Sequence, residues 1–111
     1  MDAELVKGTL SLAILSLVSR EPMYGYRLVA TAKEKTDGAF QWKEGSLYPA
    51  LHRLEKDGLI EGKWERTEGK RQRKYYHITQ NGREVLAEKK AAWEALVAAV
   101  NSILEKDHGR D

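Results

Sequence analysis

The chain is 111 residues long, 41% hydrophobic and 32% charged, which suits one soluble domain with a modest core and a charge-rich surface. Its formal net charge of +2 is too mild to mark a nucleic-acid binder, so the placement of the charges matters more than their sum. The absence of cysteine excludes a disulfide framework, a thiolate nucleophile and a cysteine-held zinc site.

The N-terminus, Met1-Asp2-Ala3-Glu4, is acidic where a signal peptide is basic, and the longest apolar run, Leu10 to Val18, is too short to span a bilayer. A cytoplasmic protein without membrane association is therefore expected. Glu4 to Ser19 reads as a first helix. Leu5, Val6, Leu10, Leu12, Ala13, Ile14, Leu15, Leu17 and Val18 leave little of its circumference polar, so a second chain is expected to cover part of it. Pro22 ends this helix, because the residue before a proline is pushed out of the α region. Met23 to Lys35 reads as a second helix, with Leu28, Val29 and Ala32 inward and Tyr26 and Lys33 outward. Thr36-Asp37-Gly38 stops it, and Ala39 to Lys43 is a short connector with room for one extended strand.

The next stretch carries the clearest pattern. At 3.6 residues per turn, Leu47, Ala50, Leu51 and Leu54 share one face; Ser46, Pro49, His52, Arg53 and Lys56 share the other, with Tyr48 on the flank. Ser46 is expected to cap the helix, Pro49 to fall in its first turn, and Gly58 to end it in the left-handed conformation. A front of hydroxyl, imidazole, guanidinium and ammonium groups suits the floor of a DNA groove, although the same face reads equally as solvated surface.

Leu59 to Arg66 and Arg71 to Ile78 read as two strands around the turn Thr67-Glu68-Gly69-Lys70. Ile60, Gly62 and Trp64 share a parity, as do Lys74, Tyr76 and Ile78, which gives the hairpin one apolar face. Lys70, Arg71, Arg73 and Lys74 form a basic patch beside Lys63 and Arg66, partly offset by Glu61, Glu65 and Glu68. Thr79 then caps a last helix running from Gln80 to about Lys106. Leu86, Trp93 and Val100 are spaced by sevens, with Leu96 and Ile103 in the alternate seam position, Val97 and Leu104 beside them, and Lys89 interrupting. At roughly 40 Å such a helix is longer than the preceding domain needs. The tail 107–111 is expected to fray.

This order predicts a mainly α fold with a small β-hairpin. Residues 1–79 form a winged helix-turn-helix DNA-binding domain and 80–106 a long C-terminal dimerisation helix. The motifs Lys7-Gly8-Thr9-Leu10, Pro22-Met23-Tyr24-Gly25-Tyr26, Glu44 to Glu55, Gly58-Leu59-Ile60, Trp64 and Arg73-Lys74-Tyr75-Tyr76-His77-Ile78-Thr79 closely resemble the PadR family of bacterial transcriptional regulators, over roughly positions 5 to 100. With a single closing helix, the chain resembles the short class of that family. The resemblance implies a homodimeric repressor that binds an operator near a promoter. It also implies a space between subunits that accepts planar apolar compounds, lined here by Trp93, Leu96, Val97 and Val100 facing Leu12 and Leu15. Gln41-Trp42-Lys43 departs from the family pattern, being bulkier than expected before the recognition helix.

The function expected is therefore a dimeric regulator that binds a palindromic operator through the recognition helix 46–57 and the wing 61–78, and is released by a small-molecule or stress signal. Tyr26, Ser46, Tyr48, Pro49, His52, Arg53, Lys56, Lys70, Arg71, Arg73 and Lys74 are the expected DNA contacts, Tyr26 reading equally as a plain surface residue. Leu5, Leu12, Leu15, Leu86, Trp93, Leu96, Val97, Val100, Ile103 and Leu104 are the expected dimer interface, with an effector pocket as a second use of the same stripe. Catalytic residues and cofactors are not expected, because no nucleophile–base–orienter set or glycine-rich phosphate loop occurs. A metal site is not expected either, since histidines 52, 77 and 108 lack ligand spacing. The rival readings are a winged helix used for protein–protein contact and a small-molecule-binding dimer without DNA binding.

Overall fold

The computed structural model describes residues 2–66 and 71–105. Its elements are α1 (Ala3–Gly8), α2 (Leu10–Arg20), α3 (Gly25–Lys35), α4 (Glu44–Lys56), β1 (Ile60–Arg66), β2 (Gln72–Ile78) and α5 (Gln80–Leu104). The expected first helix is thus two. Gly8 and Thr9 are both poor helix formers, and at Thr9 the chain leaves helical geometry (φ −103°, ψ 3°). The Thr9 N–H and hydroxyl both donate to the Val6 carbonyl, closing α1, and the Thr9 carbonyl accepts from the Ala13 N–H, opening α2. Asp2 caps α1 by accepting from the Glu4 and Leu5 N–H groups.

Helix α2 is the centre of the domain. Leu10, Ile14, Leu15, Leu17 and Val18 are buried on it, and it packs against α3, α4, β2 and α5. Pro22 does end it, with Glu21 extended. The second helix, expected from Met23, starts at Gly25. Met23 instead forms an antiparallel bridge with Tyr76: Tyr76 N–H donates to the Met23 carbonyl at 2.8 Å, and Met23 N–H donates to that of Tyr76 at 3.3 Å. The segment before α3 therefore pins the outer edge of β2. Residues 39–43 carry no strand pairing; Trp42 instead turns into the core beside Phe40.

Helix α4 begins two residues before Ser46. Lys43 is the N-cap residue without a side-chain cap bond, Ser46 sits inside the first turn, and Pro49 lies within the helix. Pro49 has no N–H to give the Gly45 carbonyl, so it removes one helical hydrogen bond rather than being cost-free, and that carbonyl is on an exposed stretch where water can reach it. The C-terminus follows expectation: Gly58 has φ 76°, and Leu59 N–H reaches back to the Leu54 carbonyl at 3.0 Å. The hairpin pairs Ile60 with Ile78, Gly62 with Tyr76 and Trp64 with Lys74, which realises the expected parity. Its turn, 67–70, lies outside the described residues, as do Lys106 and the tail 107–111. Thr79 caps α5 by accepting from Gly82 N–H, and its hydroxyl donates to the Gly58 carbonyl, tying the end of α4 to the start of α5.

Candidate nucleic-acid interface

Helix α4 presents the two faces its periodicity implies. Leu47, Ala50, Leu51 and Leu54 are buried, while Ser46, Tyr48, Pro49, His52, Arg53 and Lys56 are exposed. Among the described residues His52, Arg53 and Lys56 take part in no salt bridge, so the cationic front of α4 is open to a partner. Tyr48 behaves differently. It is 44% exposed, and its phenol lies across Gly25, the first residue of α3, where a Cβ would stand 2.2 Å from the Tyr48 hydroxyl. The ring packs on the start of α3, and the missing Cβ of Gly25 is what lets the phenol lie so close to that backbone. Tyr26, one residue on, is 74% exposed on the same side of the domain.

The wing cations divide into free and tied. Arg71 is exposed. The Arg73 guanidinium lies 4.4 Å from the centroid of the Tyr24 ring, which in turn meets Tyr75 edge-on at 5.3 Å. Lys74 is not the free phosphate ligand that a basic run suggests. Its ammonium is 3.3 Å from Glu55 Oε1 at the end of α4, and Glu55 Oε2 accepts from the Gly62 N–H. The pair braces α4 against the hairpin, so Lys74 is half-committed within the fold. Lys70 lies outside the described residues. Burial lifts the Tyr76 hydroxyl above the ordinary phenol value, with the charge of Glu55 and the neighbouring Tyr48 adding to it, so this core tyrosine stays neutral. Tyr24, Gly25, Glu55 and Tyr75 were assigned no role from sequence, because their partners lie on other elements.

The sequence profile of the transcriptional regulator PadR-like family matches residues 14–88. The chain belongs to this family. It is 33% identical over 97 residues to the transcriptional regulator Rv3488 of Mycobacterium tuberculosis, covering 87% of each chain. It is 32% identical over 89 residues to the transcriptional regulator YqjI of Escherichia coli, but spans only 41% of that longer protein. Among solved structures, a PadR-like transcriptional regulator from Bacillus cereus superposes with a TM-score of 0.83 at 37% identity, covering 95% of this chain and all (100%) of that one. A transcriptional regulator from Clostridium thermocellum gives 0.86 at 30% identity, covering 95% and 99%. The order of four helices (α1 and α2 taking the place of the single expected first one), hairpin and long closing helix is thus that of the PadR-like winged-helix fold.

This PadR-like regulator has a second open surface. Gly8, Leu12, Lys89, Trp93 and Leu96 line a cleft of about 220 Å³ between the α1–α2 junction and α5. Leu15 is not part of it: the side chain is fully buried in the protomer core, because it shares the inward face of α2 with Ile14 and Val18. Leu86 is half-buried against that same core, so it belongs largely to the protomer. Beyond it, Leu96 and Val100 are exposed, and Ile103 and Leu104 are 83% and 70% exposed; Leu5 on α1 is open as well. A larger groove of about 760 Å³ runs between α1 and the connector into α4, lined by Val6, Lys7, Leu10, Trp42 and Lys43. Trp42 is buried, and its indole N–H has no hydrogen-bond partner among the described residues. Also among the described residues, no group of acidic or histidine side chains could hold a metal ion, and no helix is long and apolar enough to cross a membrane.

Proposed function

We propose that this PadR-like regulator binds double-stranded DNA as a homodimer and represses transcription from a palindromic operator. The observation that carries this reading is the open front of α4, where Ser46, His52, Arg53 and Lys56 project from a helix whose back is fully buried. Tyr26 and Arg71 flank it as phosphate contacts, and Arg73 adds a guanidinium held in place by Tyr24. The dimer is supported by the apolar overhang of α5, which Leu96, Val100, Ile103 and Leu104 leave without cover from their own chain. The groove beside Trp42 offers further apolar surface to a second copy. Two recognition helices about 34 Å apart would then enter successive major grooves. A planar apolar effector at the cleft of Leu12, Trp93 and Leu96 would shift that spacing and release the DNA. The test is a gel shift on the region upstream of the protein's own coding sequence, repeated with planar aromatic compounds. Binding that falls on adding such a compound, with the dimer intact by sedimentation, supports the scheme. A protein that binds no duplex sinks it.

A further inference from the structure

We propose that Trp64 is a DNA-contacting residue, its indole packing against the sugar–phosphate backbone beside the site read by α4; this rests on the DNA-binding reading above. Trp64 occupies the same side of β1 as Ile60 and Gly62, which places it on the face that covers the core. The core stops short of it. Ile60 is buried and Gly62 half-buried, whereas Trp64 is 65% exposed. Its cross-strand neighbour, Lys74, would ordinarily shield such a ring with its methylene stem. Here Lys74 leans the other way: its stem lies over Gly62, where a Cβ would stand 2.2 Å from Lys74 Cε, and its ammonium ends on Glu55. The Glu55–Lys74 pair thus holds the hairpin to α4 and leaves the indole uncovered.

What surrounds the open indole is selective for a polyanion with apolar segments. Trp64, Tyr26, Tyr48 and Arg71 line one hollow of about 420 Å³, so α3, α4 and both strands contribute to the same concave surface. Tyr26 and Tyr48 offer phenol hydroxyls and Arg71 a guanidinium, groups that donate to phosphate oxygens. The face of an indole suits the apolar side of a deoxyribose, which lies between phosphates along the strand. A neutral or basic protein surface would leave Arg71, and Arg66 on the same face of β1 as Trp64, facing unlike chemistry; the DNA backbone matches both the cations and the ring. A contact of this kind is sequence-independent and releases no counterions, so it differs in kind from the Lys and Arg contacts of the wing.

The experiment measures the affinity of the full chain for short duplexes tiled upstream of its coding sequence, and for a scrambled duplex, across a salt series. Trp64→Ala is expected to weaken binding about tenfold on every duplex while leaving the slope of affinity against salt unchanged. Arg71→Ala, by contrast, lowers the slope by about one. Trp64→Phe, which retains an aromatic ring and the fold, is the second variant. The acrylamide-quenchable emission of the parent minus that of Trp64→Phe isolates this indole, and it should drop when duplex is added. Parent-like affinity in Trp64→Ala, or quenching at Trp64 that duplex does not change, overturns the inference alone. A parent protein that binds no duplex removes the DNA-binding reading together with it.

Discussion

Helix α4 buries Leu47, Ala50, Leu51 and Leu54 and leaves Ser46, His52, Arg53 and Lys56 in water, whereas the outer half of α5 leaves Leu96, Val100, Ile103 and Leu104 there. Both helices are amphipathic, but only α4 has its apolar face covered by its own chain. Its open side is polar and charged, stable in water and ready for a polyanion. The open side of α5 is apolar along the part that overhangs a molecule 66 Å in its longest dimension, and water is a poor solvent for it. One helix is finished within its own chain, and the other leaves its apolar face exposed. The two-headed DNA reader proposed above would use both: a polyanion on α4 and a second copy on α5.

The largest effect is expected on the unfinished side. Replacing Ile103 and Leu104 together by Glu removes two apolar side chains, each contributing about 1.5–3 kcal/mol if buried. The dimer should weaken by roughly a hundredfold or more in sedimentation velocity, and DNA affinity should fall with it; an undisturbed dimer would break the contrast between the helices. Next is the joint between α3 and α4. Gly25→Ala drives a methyl group into the Tyr48 ring and should cost about 1–3 kcal/mol in urea unfolding, partly relieved by Tyr48→Phe. A neutral Gly25→Ala would show that Tyr48 is free to swing into the groove.

On the finished side, Arg53→Ala should leave stability unchanged and lower operator affinity by about 1–3 kcal/mol in fluorescence anisotropy if it pairs with guanine. An equal loss on scrambled DNA would assign it to phosphate instead. Smaller again is the core tyrosine. Its folded-state pKa is raised above the ordinary 10.0, first by burial and then by Glu55 and Tyr48. The neutral form is the one the fold favours, so the contribution of Tyr76 is fully present below pH 10 and is lost as pH rises through the folded-state value. Unfolding free energy measured along an alkaline series should fall less steeply in Tyr76→Phe than in the parent.

Much of the fold was legible because its signals are short-range. The α4 split, the Gly58 stop, the Thr79 cap and the hairpin parity each depend on residues a few positions apart, and each appears as read. Reading failed where two signals overlapped. The apolar run through Leu10 hid the break at Thr9, and the Ser46–Pro49 spacing imitated a helix start that lies two residues earlier. Of the candidate contacts, the exposed front of α4 was visible from periodicity. The division of the wing cations was not, because charge type says nothing of what a side chain meets across the fold.

By itself, then, the sequence determined which segments are helical or extended, which faces are apolar, and to which family the chain belongs, since periodicity, caps and motifs are properties of neighbouring residues. Only the tertiary structure decided that Lys74 pairs with Glu55, that Arg73 rests on Tyr24, that Tyr48 leans on Gly25, that Leu15 is core rather than seam, and that Trp64 is left bare. Each of these depends on a distance between elements far apart in the chain, and no local pattern encodes such a distance.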